Sequence, residues 1–391
     1  MIPDYFQFYC PVKILSGLKA LSNLPYEMEL LGAKRALVIT DLGVVSAGLI
    51  KLVEAAMEGS KCEIGAIYSD TPVDSSNKVV NDAAKIYRAK KCDCLVAVGG
   101  GSSMDTAKGV DILISEGMDD LMKFQGMDRL KAQMQPFIAI PTTAGTGSEV
   151  TLAAVIRDIE ADLKMPFVSD KLYPHVAILD PKMTMTMPPK ITAATGMDAL
   201  THAVEAYYCL QKNPVSDAFA TAAVQMIFEY LIKCVENGRD EKARMAMANA
   251  SLLAGISFSN SMVGVVHALA HAAGGVCHVP HGVANAVFLP WGMEQNLGKA
   301  SEYIAELAPY MGVKDPPAQP IDRAKAAVQA VRNLLNKLHD LCGLPTTLKE
   351  AGVPKQKLNK IAKAAINDGS CNYNPEDVTF EDALAILKKA Y

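Results

Sequence analysis

Along the first half of the chain, short apolar runs alternate with longer amphipathic ones. RALVIT (residues 35–40), CEIGAIYS, CDCLVAVGGG, QPFIAIPTT and HVAILDP are too short for buried helices and read as strands. Between them, LGVVSAGLIKLVEAAMEGS, SNKVVNDAAKIYRAKK and SMDTAKGVDILISEG carry the longer helical pattern. Strands that alternate with helices predict parallel βαβ units and a doubly wound sheet.

The pattern changes near residue 185, where MTMPPK has the turn chemistry of a boundary. Beyond it the chain reads as almost all helix: TAATGMDALTHAVEAYY, SDAFATAAVQMIFEYLIKCVENG, DEKARMAMANASLLAG, RAKAAVQAVRNLLNKLHDLCG, PKQKLNKIAKAAIND and TFEDALAILKKAY. A chain of 391 residues is longer than one core usually supports. The expectation is therefore an α/β domain over residues 1–185 and an all-helical domain over residues 186–391.

Residues 245–293 contain no Asp, Glu, Lys or Arg. Asn249, Ser251, Ser257, Ser259, Asn260 and Ser261 interrupt this stretch, so no clean run of ~20 apolar residues marks a bilayer span. A buried set of helices is the better reading, with no membrane partner. Hydrophobic residues at 50% and charged residues at 20% describe a packed globular protein. The net charge of −4 leaves no basic footprint for nucleic acid. Nine irregularly spaced cysteines predict reduced thiols in a cytoplasmic protein, with Cys92 and Cys94 as strand packing. MIPDYFQFYCPVKIL lacks a basic segment and does not read as a signal peptide.

Two loops suit an anion. In VGGGSSMDTAKG, Gly99, Gly100 and Gly101 follow a strand and precede a helix, with Ser102 and Ser103 adding hydroxyls. Glycines admit a phosphate to the backbone, and the helix N-terminus offers free N–H groups. A tight strand-to-helix turn reads the same way. PTTAGTGSEV follows the next strand with Thr142, Thr143, Thr146 and Ser148. Two such loops at successive strand ends suit a dinucleotide on the sheet's carboxyl edge. Asp41, in VITDLG, ends a strand before the glycine loop rather than after it. Its carboxylate suits an adenosine ribose and repels a 2′-phosphate; it equally suits a helix N-cap.

A metal pattern follows. Asp198 and His202 stand at i and i+4, as do His267 and His271 in HALAH; His278 and His281 come after a Gly-Gly break. Four of the seven histidines fall within residues 267–282. Positions i and i+4 share a helix face. A carboxylate with several neutral imidazoles suits Zn²⁺ or Fe²⁺ better than Mg²⁺ or Ca²⁺. A lone buried histidine is ordinarily a satisfied core residue, but four buried imidazoles need several partners. HEXXH is absent, which removes the zincin reading.

Together GGGSSMDTAKG, PTTAGTGSE, AILDP, TGMDALTHAVEAY and GVVHALAHAAGGVCHVPHGVANAVFLP resemble the iron-containing (group III) alcohol dehydrogenase family over essentially the whole chain. The resemblance implies an N-terminal nucleotide domain, a C-terminal helical metal-binding and substrate domain, and a metal in the cleft between them. It implies metal ligands Asp198, His202, His267 and His281, with His271 beside the metal and nicotinamide as a proton relay. It leaves His278 structural. Gly99, Gly100, Gly101 and Ser102 would hold the pyrophosphate, and Thr142, Thr143, Thr146 and Ser148 would line the rest of the cofactor site. Lys164 would lie near the cofactor phosphates, and Asp41 would favour NAD over NADP. Trp291 and Glu376 depart from the family's usual His and Arg at those places.

The implied reaction is reversible hydride transfer between NAD and a small primary alcohol or aldehyde of the ethanol, butanol, propanediol or lactaldehyde class. Fe²⁺, or alternatively Zn²⁺, would supply the Lewis acid. Rivals are a glycerol dehydrogenase-like polyol enzyme and a dehydroquinate synthase-like lyase. The lyase would need a basic pocket, which the charge-free stretch argues against. The extended FYCPVKIL suggests pairing across a two-fold axis, hence a homodimer or higher oligomer.

Overall fold

The computed structural model describes residues 3–161 and 163–391. The chain divides into two compact units. One holds Cys10–Thr143 and Gly147–Thr186; the other holds the residues up to Tyr9, Ala144–Thr146 and Met187–Tyr391. The expected division at residue 185 thus misses two short excursions. Phe8 stacks on Phe219 at 5.7 Å and the Tyr9 N–H donates to Asn260 Oδ1 at 2.7 Å, which ties the N-terminal arm to the helical unit. Gly145 lies so close to Thr195 that an added Cβ would sit 2.8 Å from the Thr195 carbonyl oxygen.

Among the described residues, the strands of the α/β unit are β1 (Lys13–Ser16), β2 (Arg35–Ile39), β3 (Glu63–Tyr68), β4 (Cys94–Gly99), β5 (Gly126–Met127), β6 (Phe137–Pro141), β7 (Ala153–Asp158), β8 (Leu163–Val168) and β9 (Val176–Leu179). Its α-helices are α1 (Leu24–Leu30), α2 (Leu42–Ser46), α3 (Leu49–Met57), α4 (Asn77–Ala89) and α5 (Gly101–Ser115). The main sheet runs β1-β9-β6-β4-β2-β3 with every neighbouring pair parallel. Alternate residues of each strand serve opposite faces. Leu37, Ile39, Leu95 and Ala97 pack with Val80 and Ala84 of α4 and Met104 of α5. Ala36, Val38, Val96 and Val98 pack with Met28 of α1 and Val53 and Met57 of α3. Two apolar cores on one parallel sheet make it doubly wound. Strand order reverses between β2 and β4, so a topological switch point lies at their carboxyl ends.

Locally, the structure adds detail to the sequence reading. The single helix read across residues 42–60 is broken, because Gly48 has φ of 76°, a left-handed turn that ends one helix and starts another. A hairpin of β7 and β8, joined by β5 into a small second sheet, was not legible. Its strands carry charges, and Pro166 sits inside β8, where β5 pairs only with Phe167 and Val168. The end of the N-terminal segment, from Lys13, forms β1 at the edge of the main sheet against β9.

Lys108 of α5 stitches this unit together. Its buried Nζ lies 2.8–2.9 Å from the carbonyl oxygens of Ser148, Thr151 and Ala153, and 3.0–3.2 Å from the hydroxyls of Thr151 and Ser148. Burial lowers the ammonium to about 8, with Asp105 and Glu149 opposing that shift, so it stays charged at neutral pH.

The helical unit contains α6 (Pro189–Tyr208), α7 (Pro214–Glu236), α8 (Glu241–Ser259), α9 (Val265–Cys277), α10 (His281–Gln295), α11 (Leu297–Leu307), α12 (Pro320–Cys342), α13 (Leu358–Ala365) and α14 (Phe380–Lys389). Most of the charge-free residues 245–293 form α8, α9 and α10, and they supply much of this unit's core. By length and composition α7 could cross a membrane. Here its Ala220, Ala223, Val224, Ile227 and Leu231 are buried in that same core.

Lys108→Met removes the donor from three carbonyls and should cost about 2–4 kcal/mol. Urea unfolding followed by circular dichroism reads this directly; unchanged stability would show that the ammonium holds nothing in place.

Candidate active site

Asp198 and His202 lie on one face of α6, His267 on the first turns of α9, and His281 at the start of α10. One ligand atom from each falls within 4.8 Å of all the others. Asp198, His202 and His267 are buried and His281 is half-buried. The rings of His202 and His267 stack at 4.5 Å, and His202 stacks on Phe258 at 4.2 Å. Burial lowers His202 and pushes His267 well below the usual imidazole range, so both are neutral with a lone pair to give. Burial works against the Asp198 charge, while the hydrogen bond donated by Asn285 favours it.

Close backbone approach makes this convergence possible. An added Cβ on Gly282, next to His281, would lie 2.5 Å from the Ala194 carbonyl oxygen on α6. Any side chain there forces α10 away from α6 and carries His281 with it.

Glu205 is a functional residue that sequence reasoning missed. It stands three residues after His202 on the same helix face and is fully buried. Its carboxylate accepts from His267 Nδ1 at 2.6 Å and from the backbone N–H groups of Val266 and His267 at 2.8 and 3.3 Å. It therefore caps α9 and directs His267 Nε2 to the cluster. Burial raises Glu205 to about 7, while the N–H donors counter it. Gly264 leaves room for it: an added Cβ would lie 3.0 Å from Glu205 Oε1.

The chemistry of this donor set is specific. Three imidazoles and a carboxylate converge inside a helical core, and His202 Nδ1 has no hydrogen-bond partner among the described residues. Lone pairs facing one another in low dielectric repel unless a cation completes them. A divalent metal of the zinc or iron type fits this set.

His271 is placed differently despite its matching spacing. Its ring stacks on that of His281 at 5.3 Å, and Nδ1 lies 2.9 Å from Asp368 Oδ2. Burial works to raise Asp368, but bonds from His271 and Ser370 bring it down to about 2. Asp368 comes from a distant segment and carried no local signal in the sequence. His278 closes α9 in a left-handed conformation with φ of 57°.

In the α/β unit, Asp41 and the glycine loop end the neighbouring strands β2 and β4 at the switch point. Asp41 Oδ1 accepts from the Val44 N–H at 3.0 Å, which realises the N-cap reading. Its Oδ2 lies 3.5 Å from where a Cβ on Gly99 would be, beside the loop. Gly100 approaches Thr143 closely, at 3.2 Å from an added Cβ to Oγ1. Gly101 opens α5. Ser102 donates its hydroxyl to the Val73 carbonyl, and the buried Ser103 hydroxyl has no partner among the described residues. Thr142 is buried and Thr143 half-buried. Ser148 is buried against Lys108 and Asp105 rather than open to a ligand. Thr146 falls in the helical unit. Lys164 on β8 pairs with Asp74 at 2.7 Å.

Family models settle the relationship. Residues 192–391 match the C-terminal domain of the Fe-containing alcohol dehydrogenase family, and residues 11–181 match the iron-containing alcohol dehydrogenase domain.

The chain belongs to the iron-containing alcohol dehydrogenase family.

It is an oxidoreductase of the alcohol dehydrogenase class. The chain is 37% identical to an NAD-dependent methanol dehydrogenase of Bacillus methanolicus, covering 98% of this chain and 99% of that one. It is also 37% identical to a 1,3-propanediol dehydrogenase of Klebsiella pneumoniae, covering 99% of each. A solved 1,3-propanediol oxidoreductase superposes with a TM-score of 0.95 at 37% identity, over 99% of this chain and 100% of that one. The family's departures here are packing features. Trp291 stacks under the Arg332 guanidinium at 4.5 Å, and Glu376 pairs with Lys299 at 3.5 Å.

Glu205→Ala leaves buried donors of His267 and α9 unpaired and should cost about 2–4 kcal/mol of stability. Glu205→Gln, which keeps an acceptor, should cost less. Equal unfolding midpoints for wild type and both variants would contradict the capping role.

Proposed function

We propose that this chain is a metal-dependent, NAD-linked enzyme that interconverts a small primary alcohol and its aldehyde. The observation that carries the reading is the cluster of Asp198, His202, His267 and His281 within 4.8 Å. These four residues would hold Fe²⁺ or Zn²⁺. When bound, the metal supplies Lewis acidity toward an alcohol or carbonyl oxygen, and NAD supplies the hydride acceptor or donor.

The protein's own residues do the rest. Glu205 keeps the His267 proton on Nδ1, which leaves Nε2 as donor to the metal. Asp368 holds His271 by Nδ1, so Nε2 of His271 takes or returns the hydroxyl proton. Gly99, Gly100, Gly101 and Ser102 receive the pyrophosphate at the start of α5, where backbone N–H groups are free. Asp41 receives the adenosine ribose with Oδ2, and its charge selects NAD over NADP. Thr142 and Thr143 line the remaining cofactor surface of the α/β unit. Ser148 supports that surface from below through Lys108, and Lys164 serves the phosphates.

The substrate class of ethanol, butanol, propanediol or lactaldehyde is supported by the charge-free helices that carry His267 and His281. Relatives named for methanol and 1,3-propanediol support it too. A cytoplasmic location is supported by nine cysteines that are all free thiols. A homodimer is supported by β1, an edge strand whose outer side is available for pairing.

NADH consumption with a panel of short-chain aldehydes tests the reading, using anaerobic protein loaded with Fe²⁺ and then Zn²⁺. Turnover that chelation abolishes is the expected result; stoichiometric metal with no NADH loss on any aldehyde would overturn it. His267→Ala should lose metal and turnover together. His271→Ala should retain metal and lose kcat with little change in cofactor KM; full activity in that variant would remove the proton-relay role.

A further inference from the structure

Asn285 lies one turn beyond His281 on α10 and is fully buried. Its Nδ2 is 2.6 Å from Asp198 Oδ1, 3.1 Å from His281 Nε2 and 3.4 Å from His267 Nε2. One amide nitrogen therefore touches three of the four clustered side chains. The amide's orientation follows from these neighbours. Turned over, its oxygen would face a carboxylate oxygen and two imidazole nitrogens, all acceptors.

The other end of the same amide is unsatisfied. Asn285 Oδ1 is buried and has no hydrogen-bond partner among the described residues. Buried acceptors are rarely left alone. A side chain kept for packing would be apolar here, and one kept for a structural network would use both ends. Asn285 uses only its donor, and it aims that donor into the cluster.

We infer that Asn285 is a positioning residue for the metal centre, acting through Asp198. This rests on the metal reading proposed above. Two protons serve three acceptors, and the imidazole nitrogens need their lone pairs for a cation. The bond to Asp198 is the one compatible with all four side chains acting as ligands. It fixes the rotation of the carboxylate and draws density from Oδ1. Glu205 does the corresponding work for His267 through Nδ1. Each residue acts on a different ligand, so their effects on metal binding are separable.

Asn285→Leu keeps nearly the same volume and removes the donor; Asn285→Ala removes it without any possible clash. Zn²⁺ affinity is measured for both and for wild type by competition with a chromogenic chelator, with Co²⁺ absorption spectra recorded alongside. Both variants should bind Zn²⁺ about 10–100-fold more weakly. Their Co²⁺ bands should shift, which a merely structural role would not cause. Wild-type affinity and an unchanged Co²⁺ spectrum in both variants would overturn the inference. If His267→Ala still abolished binding, the metal reading would stand without it. A wild-type protein that binds neither metal would overturn both.

Discussion

Lone pairs that point at one another repel, and the helical unit is built to hold four sets of them together. Asp198, His202, His267 and His281 meet within 4.8 Å in a helical unit whose core is apolar. Low dielectric strengthens both the repulsion among the donors and their attraction to a cation. The surrounding structure supplies the restraint. Glu205 ties the start of α9 to α6, Asn285 ties α10 to Asp198, and Gly282 lets the α10 backbone press against Ala194. Removing any one of these leaves a donor free to rotate away from the others.

The absence of charged side chains over residues 245–293 follows from the same constraint. A nearby ammonium would compete with a metal for Asp198, and a further carboxylate would need its own partner. Two polar groups of this stretch act at the cluster. Asn285 serves Asp198, and the His267 proton serves Glu205. In the α/β unit the polar work lies at the switch point, where β2 and β4 bring Asp41 beside Gly99. There the buried Lys108 fixes the loop that contains Ser148.

Much of this was legible because helices and buried strands leave periodic traces. The apolar runs at residues 35–40 and in CDCLVAVGGG became the central strands β2 and β4. The i, i+4 spacing put Asp198 and His202 on one face. The same spacing in HALAH was ambiguous, since His267 joined the cluster while His271 turned to Asp368. Spacing fixes a face but not which neighbour that face meets; only the family resemblance singled out His267 and His281. Glu205 was within reach, standing seven residues from Asp198 on a helix already recognised. Asn285 and Asp368 were not, because Asp198 and His271, which they bond, come from other elements. The β7–β8 hairpin was hidden by its charges and by Pro166. The N-terminal arm gave no sign that Phe8 would find Phe219.

The most direct test of the account is X-ray absorption at the metal edge of Zn²⁺-loaded protein. If the proposed ligands hold the metal, the edge spectrum should show a shell of nitrogen and oxygen at about 2.0–2.1 Å with imidazole scattering and no sulfur. A sulfur shell would contradict it, because this chain carries nine free cysteines that could capture zinc elsewhere. An imidazole signal that persists unchanged in His267→Ala would contradict it equally, since the metal would then lie outside the cluster on α6, α9 and α10.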